Sequence, residues 1–240
     1  MTPGHKQDVR PRLNRERVLH AGIALADEAG LDALSMRKLG EQLGVEAMSL
    51  YKHVANKDDL LGGMVDAVFA EIDLAADERS WRVAMRSRAI SVRQALKRHP
   101  WAVPLMQSRT NPGPSTLEHL DALIGILRSA GFSVVLTAHA LSAIDAYVYG
   151  FAMQEKALPF ESEEDSREVV QQILAAMPAD EWPHLVEFSR EHVLKPGYDY
   201  GREFEWGLDL LLDGLERARQ HADNGSFVAG GNQRSTGRES

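Results

Sequence analysis

The chain has 240 residues, 44% of them apolar, no cysteine and a formal net charge of −8. This is ample for a core in one or two domains; it excludes disulfides and thiolate metal sites, points to a reducing cytoplasm, and shows neither a signal peptide nor a stretch approaching the ~20 apolar residues of a membrane span. The net charge argues against a nucleic-acid partner until it is divided: up to Lys57 there are nine Lys and Arg against seven Asp and Glu, and the remainder holds 18 basic and 28 acidic residues, so a mildly basic head sits on an acidic body.

Residues 1–11 are polar, carry two prolines and have no period, and read as a flexible arm. Beyond them nearly everything reads as helix, and alternating β-branched runs are almost absent. A first helix over residues 14–29 puts Val18, Ala21, Leu25 and Ala29 on one stripe and stops at Gly30. Ser35 caps a short helix that ends at Gly44, and another short helix covers residues 47–54. Asn56 caps a long helix over residues 57–74, with Asp58 and Asp59 in its first turn, where carboxylates suit the helix dipole. Gly62-Gly63 in its second turn reads as close packing against the first helix, and also as a hinge that lets the head tilt. Further helices are expected over residues 80–98, 101–107, 115–130, 134–158, 166–177, 181–194 and 200–220, punctuated by proline and glycine. The acidic run at 161–165 reads as a solvated loop or helix start, and residues 222–240 as a disordered tail. The fold class is all-α: a three-helix helix-turn-helix head over residues 12–74, and a larger helical body over residues 75–221.

Residues 35–54 are the most informative. Leu39, Leu43, Val45, Leu50 and Val54 can form a small core between two short helices and the first one. A tight turn containing Gly44 is what a helix-turn-helix needs. The second helix then shows Ala47, Met48, Ser49, Lys52 and His53 outward, small and mixed groups that fit a DNA major groove. Tyr51 and Lys57 are placed to reach phosphates, and Arg37 a phosphate or base edge. The plain alternative is a trihelical unit with exposed polar residues.

From Leu13 to Ile72 the chain resembles the head of the tetracycline-repressor (TetR) family, through Arg37-Lys38-Leu39, Leu43-Gly44-Val45, Ser49-Leu50-Tyr51-Lys52-His53-Val54, Asn56-Lys57 and Leu60-Leu61. The resemblance implies that residues 47–54 are the recognition helix, with phosphate anchoring by Tyr51 and Lys57. It also implies DNA contacts from Arg37, Glu46, Ala47, Met48, Ser49, Lys52 and His53. Positions 47 and 48 depart from better-known members, which carry a base-reading polar residue and a proline there. Readout at these positions would be apolar, against thymine methyls.

A weaker resemblance covers the body, through His99-Pro100, Ala130-Gly131-Phe132, Tyr147-Val148-Tyr149-Gly150 and residues 204–215. It implies a homodimer held by two helices per subunit. Ala143, Ala146 and Gly150 would permit close helix approach, and Phe204, Leu208, Leu211 and Leu215 form a stripe suited to bundle packing. Both stripes can also be read as facing the subunit's own core. The resemblance further implies a pocket for a small-molecule effector, with Met85, Trp101, Met106, Gln107, His139, Tyr147, Phe151 and Gln154 as candidate lining, although taken singly most of these residues read first as plain core. Met106 stands where a metal-binding His would be expected and Gln154 in place of a carboxylate, so a magnesium-chelated tetracycline is disfavoured. No metal or cofactor is expected; a flat apolar or aromatic molecule is. No nucleophile elbow, phosphate loop or His-Glu-x-x-His pair supports an enzyme. A helical adaptor whose head binds protein is the remaining alternative.

Overall fold

The side chain of Asn14 accepts a hydrogen bond from the Arg17 amide at 2.9 Å and starts the first helix, α1 (Arg15–Ala29). The computed structural model describes residues 12–74, 80–108, 111–160, 163–176 and 181–223; the expected arm and residues 224–240 of the expected tail lie outside the described residues. Gly22 of α1 is buried, and a Cβ there would stand 3.0 Å from the Met64 sulfur, so α1 lies directly on the later long helix.

A 3-10 turn (Leu31–Ala33) leads to α2 (Met36–Leu43), capped by the Ser35 hydroxyl accepting from the Lys38 amide. Gly44 ends α2 in the left-handed region, at φ 66°. The next helix, α3, is shorter than expected: Ala47–Leu50, followed by a turn over residues 51–53. Its bonds tighten to i→i+3 spacing, with the His53 amide on the Leu50 carbonyl, which ends the helix early. Asn56 caps α4 (Lys57–Ala70) through the Asp59 amide at 2.8 Å, and α4 stops four residues short of the expected end. Val18, Leu34, Leu39, Leu50, Val54, Leu60 and Met64 close the head's core.

The body consists of α5 (Trp81–Arg98), α6 (Ala102–Ser108), α7 (Pro114–Ser129), α8 (Val134–Ala157), α9 (Glu163–Ala175), α10 (Pro183–Phe188) and α11 (Tyr200–Asp223). α5 packs against α7, α8 and α11, and α4 against α7 and α6, so one apolar cluster runs from head to body. There is no strand among the described residues.

Three further boundaries, and one expectation about α8, differ from the sequence reading. α9 begins inside the acidic run, at Glu163. The expected helix over 181–194 splits at Ser189: Pro183 opens α10, and a wide turn (Ser189–Val193) closed by the Leu194 amide on the Ser189 carbonyl follows. α11 runs to Asp223, so Ala222 and Asp223 are helical and not tail. α8 is long and apolar enough to cross a bilayer by length and composition, contrary to the sequence expectation, yet it packs against α5, α7 and α11 as a helix of the body.

Candidate nucleic-acid interface and body clefts

The helix-turn-helix depends on a close approach. A Cβ on Gly40 would lie 2.8 Å from the Val45 carbonyl oxygen and 3.1 Å from the Ala47 amide, so only glycine lets α2 and α3 meet here. α3 then presents Met48, 73% exposed, with Tyr51 and Lys52 outward and Leu50 fully buried. Ala47, Ser49 and His53 are half-buried; Glu46, Lys57 and Arg37 are exposed, and Arg37 is paired with Glu41 at 2.9 Å. Seven of these nine side chains, Glu46 to Ser49 and Tyr51 to His53, lie on or directly beside α3, whereas Arg37 stands on α2 and Lys57 opens α4.

Sequence reasoning missed the group that holds this surface. Arg15 donates to the His53 carbonyl at 2.9 Å and to both oxygens of Asp59, at 3.1 and 2.7 Å; Asp59 also accepts from the Ala55 amide at 2.8 Å. One guanidinium from α1 thereby fixes the exit of the turn after α3 to the start of α4.

Head and body meet at a second polar cluster. The buried His99 ring places Nδ1 2.8 Å from Asp27 at the end of α1, and Nε2 3.2 Å from Glu71 just after α4. Trp101 donates its indole N–H to the same Asp27 oxygen at 2.6 Å, and Arg98 reaches Glu71 at 2.7 Å. The Glu71 carboxyl is pushed up by burial, but Arg98 and His99 outweigh this and hold it below the ordinary range. Beside this cluster a cleft of about 450 Å³ opens between the turn after α1 and the turn joining α5 to α6. It abuts a larger cleft, about 730 Å³, between the ends of α5 and α8 and the start of α11; both are lined by Leu96, Pro100, Ala152 and Lys156.

Residues 18–64 match the family described as bacterial regulatory proteins, tetR family, and residues 74–219 match the tetracyclin repressor-like C-terminal domain. The chain belongs to the TetR family. It is 32% identical over 216 residues to the HTH-type transcriptional repressor DrrR1 of Streptomyces coeruleorubidus, covering 86% of this chain and 78% of that protein. ActR of Streptomyces coelicolor, solved in complex with actinorhodin, superposes with a TM-score of 0.68 at 26% identity, over 87% of this chain and 99% of that one. A variant of TetR from Acinetobacter baumannii AYE, in complex with minocycline, gives a TM-score of 0.66 at 26% identity, over 92% and 100% of the two chains. As a TetR-family regulator this chain is a DNA-binding transcriptional repressor and not an enzyme.

Within this TetR-family body the expected pocket residues do not converge. Tyr147 and Phe151 stand together in an aromatic cluster with Phe204 and Tyr200, and the Tyr147 hydroxyl donates to the Phe204 carbonyl at 3.0 Å. Met85 is shut in the core, Met106 is half-buried against it, and Trp101 lines the smaller cleft. His139 and Gln154 point outward from α8, because their helix positions fall on its solvent face; Gln154 there accepts from Tyr200 at 3.4 Å. The side chain of Gln107 lies outside the described residues.

The stripe on α11 also differs. Phe204, Leu208 and Leu215 are buried within the subunit, against α8 and α5, and Leu211 is half-buried beside them. Side chains already enclosed by their own chain offer no surface to a second copy. The outward face of α11 instead carries Trp206 and Leu210, 69% and 54% exposed, and Gly214, whose Cβ position is open. On α8 Ala146 is exposed, and Ala143 and Gly150 are half-buried with open space over Gly150.

Proposed function

We propose that this chain represses transcription as a homodimer on a palindromic operator and is released by a small, mostly apolar or aromatic effector, in the cytoplasm. The observation that carries the reading is the clamped head: α3 and the turn after it display Met48, Tyr51 and Lys52 outward, and Arg15 fixes the end of that turn. In this reading Tyr51 and Lys57 anchor phosphates and position the helix. Arg37, Glu46, Ala47, Met48, Ser49, Lys52 and His53 face the groove, with Met48 against thymine methyls. Dimerisation uses the outer faces of α8 and α11, where Ala146, Gly150 and Gly214 permit close approach and Trp206 and Leu210 supply apolar area. Two solved neighbours bound to actinorhodin and to minocycline support a small-molecule effector. The test is a salt titration of binding to the promoter of the chain's own gene and to scrambled DNA of equal length. Tighter promoter binding with a steep salt slope is expected; equal affinity for both would remove the operator reading.

A further inference from the structure

We infer that the cleft between head and body is a binding site for a flat, apolar molecule bearing one acidic group. The inference rests on the effector-responsive reading above, and gives that effector a place and a chemistry.

The walls are apolar and come from both domains. Leu31, in the turn after α1, faces Pro100, Trp101, Val103 and Pro104 across the gap, and Ala152 closes it from the end of α8. About 450 Å³ is enough for a drug-sized molecule, and the space continues past Leu96 and Pro100 into the larger cleft, where Phe160, Tyr198 and Tyr200 add aromatic surface.

The charge is set by one lysine. Lys156 lines both clefts, is exposed, and has no ion-pair partner among the described residues. The neighbouring cation is committed: Lys97 lies 3.1 Å from Glu155, which Arg93 also holds at 2.5 Å. The Asp199 carboxylate in the larger cleft accepts from the Gly201 amide. Asp32 is the acid of the smaller cleft and sits on the opposite, head wall. An anion is therefore drawn to the Lys156 end, and a second negative charge at the head end is disfavoured.

The location gives the site leverage. The turn that forms one wall is the turn whose His99 and Trp101 hold Asp27 and Glu71. An occupant touches that turn and the head's own Leu31 together, so its affinity depends on the spacing that the polar cluster sets. Differential affinity for two spacings is what couples a ligand to DNA release.

The probe is 1-anilinonaphthalene-8-sulfonate, an aromatic molecule with one acidic group, titrated by fluorescence into the full chain. Its uncharged analogue, N-phenyl-1-naphthylamine, serves as control. Saturable binding of the sulfonate is expected, weakened about tenfold by Lys156→Glu and restored to within about twofold of wild type by Lys156→Arg. Leu31→Trp, which fills the gap, should weaken both probes, and Lys156→Glu should leave the uncharged one unchanged. Promoter DNA should reduce the chain's affinity for the sulfonate, reciprocally with the sulfonate's effect on DNA affinity. No saturable binding, or Lys156→Glu titrating like wild type, overturns the site. If Leu31→Trp lowers the melting temperature, Lys156→Glu, at an exposed position, decides alone. Lysine-dependent probe binding by a chain that ignores promoter DNA would leave the cleft standing and remove the repressor reading; promoter binding with lysine-independent probe binding would do the reverse.

Discussion

The Arg15 guanidinium makes three contacts that no residue of the turn after α3 makes for itself, joining α1, the His53 carbonyl and Asp59 of α4. Both side chains of the ion pair are a third or more exposed, at 46% and 34%, so its share in stability is modest, about 1 kcal/mol. Its larger effect is on aim: Arg15→Ala is expected to weaken specific DNA binding several-fold although Arg15 makes no assigned base contact. Tyr51→Ala and Lys57→Ala should each weaken binding to all sequences by about 1–2 kcal/mol, and Lys57→Ala should also reduce the salt slope by about one unit. Unchanged affinity for all three variants in operator and scrambled titrations would remove the turn after α3 and the start of α4 from the interface. A different residue governs acid stability. His119 is buried and accepts from Arg88 Nε at 3.2 Å; burial first, and then the Arg88 charge, bring its pKa down from 6.5 to about 4. A histidine whose folded pKa is depressed contributes stability that is complete above the unfolded value and is lost as pH falls toward the folded one. Between about pH 7.5 and about pH 5 the chain should lose ~2 kcal/mol in urea unfolding, and His119→Gln, which keeps an acceptor for Arg88, should lose much less. An equal loss in the variant would place the pH dependence elsewhere.

At the level of elements, the parts legible in the sequence are those set by local chemistry. Ser35 and Asn56 each cap a helix as their residue types predict, because a cap acts across only three residues. What stayed hidden joins positions far apart: Arg15 with Asp59, Asp27 with His99, and Asp66 with Thr116. No periodicity encodes such pairs. Likewise the spacing of Phe204, Leu208 and Leu215 marked a buried stripe, but a stripe does not say whether its own chain or a copy covers it. Asp66 accepts from the Thr116 amide at 2.9 Å and its hydroxyl at 3.0 Å, so α4 supplies the cap of α7. Asp66→Ala should cost about 1 kcal/mol, measurable as a lower urea midpoint. The Gly62-Gly63 pair resolves toward packing at Gly63, where a Cβ would stand 2.6 Å from Leu19 Cδ2. Gly63→Ala gains helix propensity but must displace Leu19, for a net loss of about 1 kcal/mol. Gly63→Ala with Leu19→Ala should lose less than the sum of the two single variants; strict additivity would show that the contact does not constrain the head.

At the scale of the molecule, α11 has one buried and one exposed apolar face, and two neighbouring leucines separate them. Leu208 is fully buried, on the side of α11 that packs against α8 and α5, whereas Leu210 is 54% exposed beside Trp206 on the outer side. A carboxylate at position 208 would be buried without a partner and should destabilise the subunit itself, by several kcal/mol, whatever its oligomeric state. A carboxylate at position 210 meets water in the isolated subunit and an apolar surface only when a second copy is present. Leu210→Glu should therefore keep the wild-type melting behaviour of the single subunit, yet sediment as a monomer at micromolar concentration where the wild type sediments as a dimer. Its DNA affinity should fall further than any single phosphate contact explains, because two joined heads on two half-sites act at high effective concentration. A dimeric Leu210→Glu, or a wild type that is monomeric at that concentration, would move the subunit contact away from the outer faces of α8 and α11.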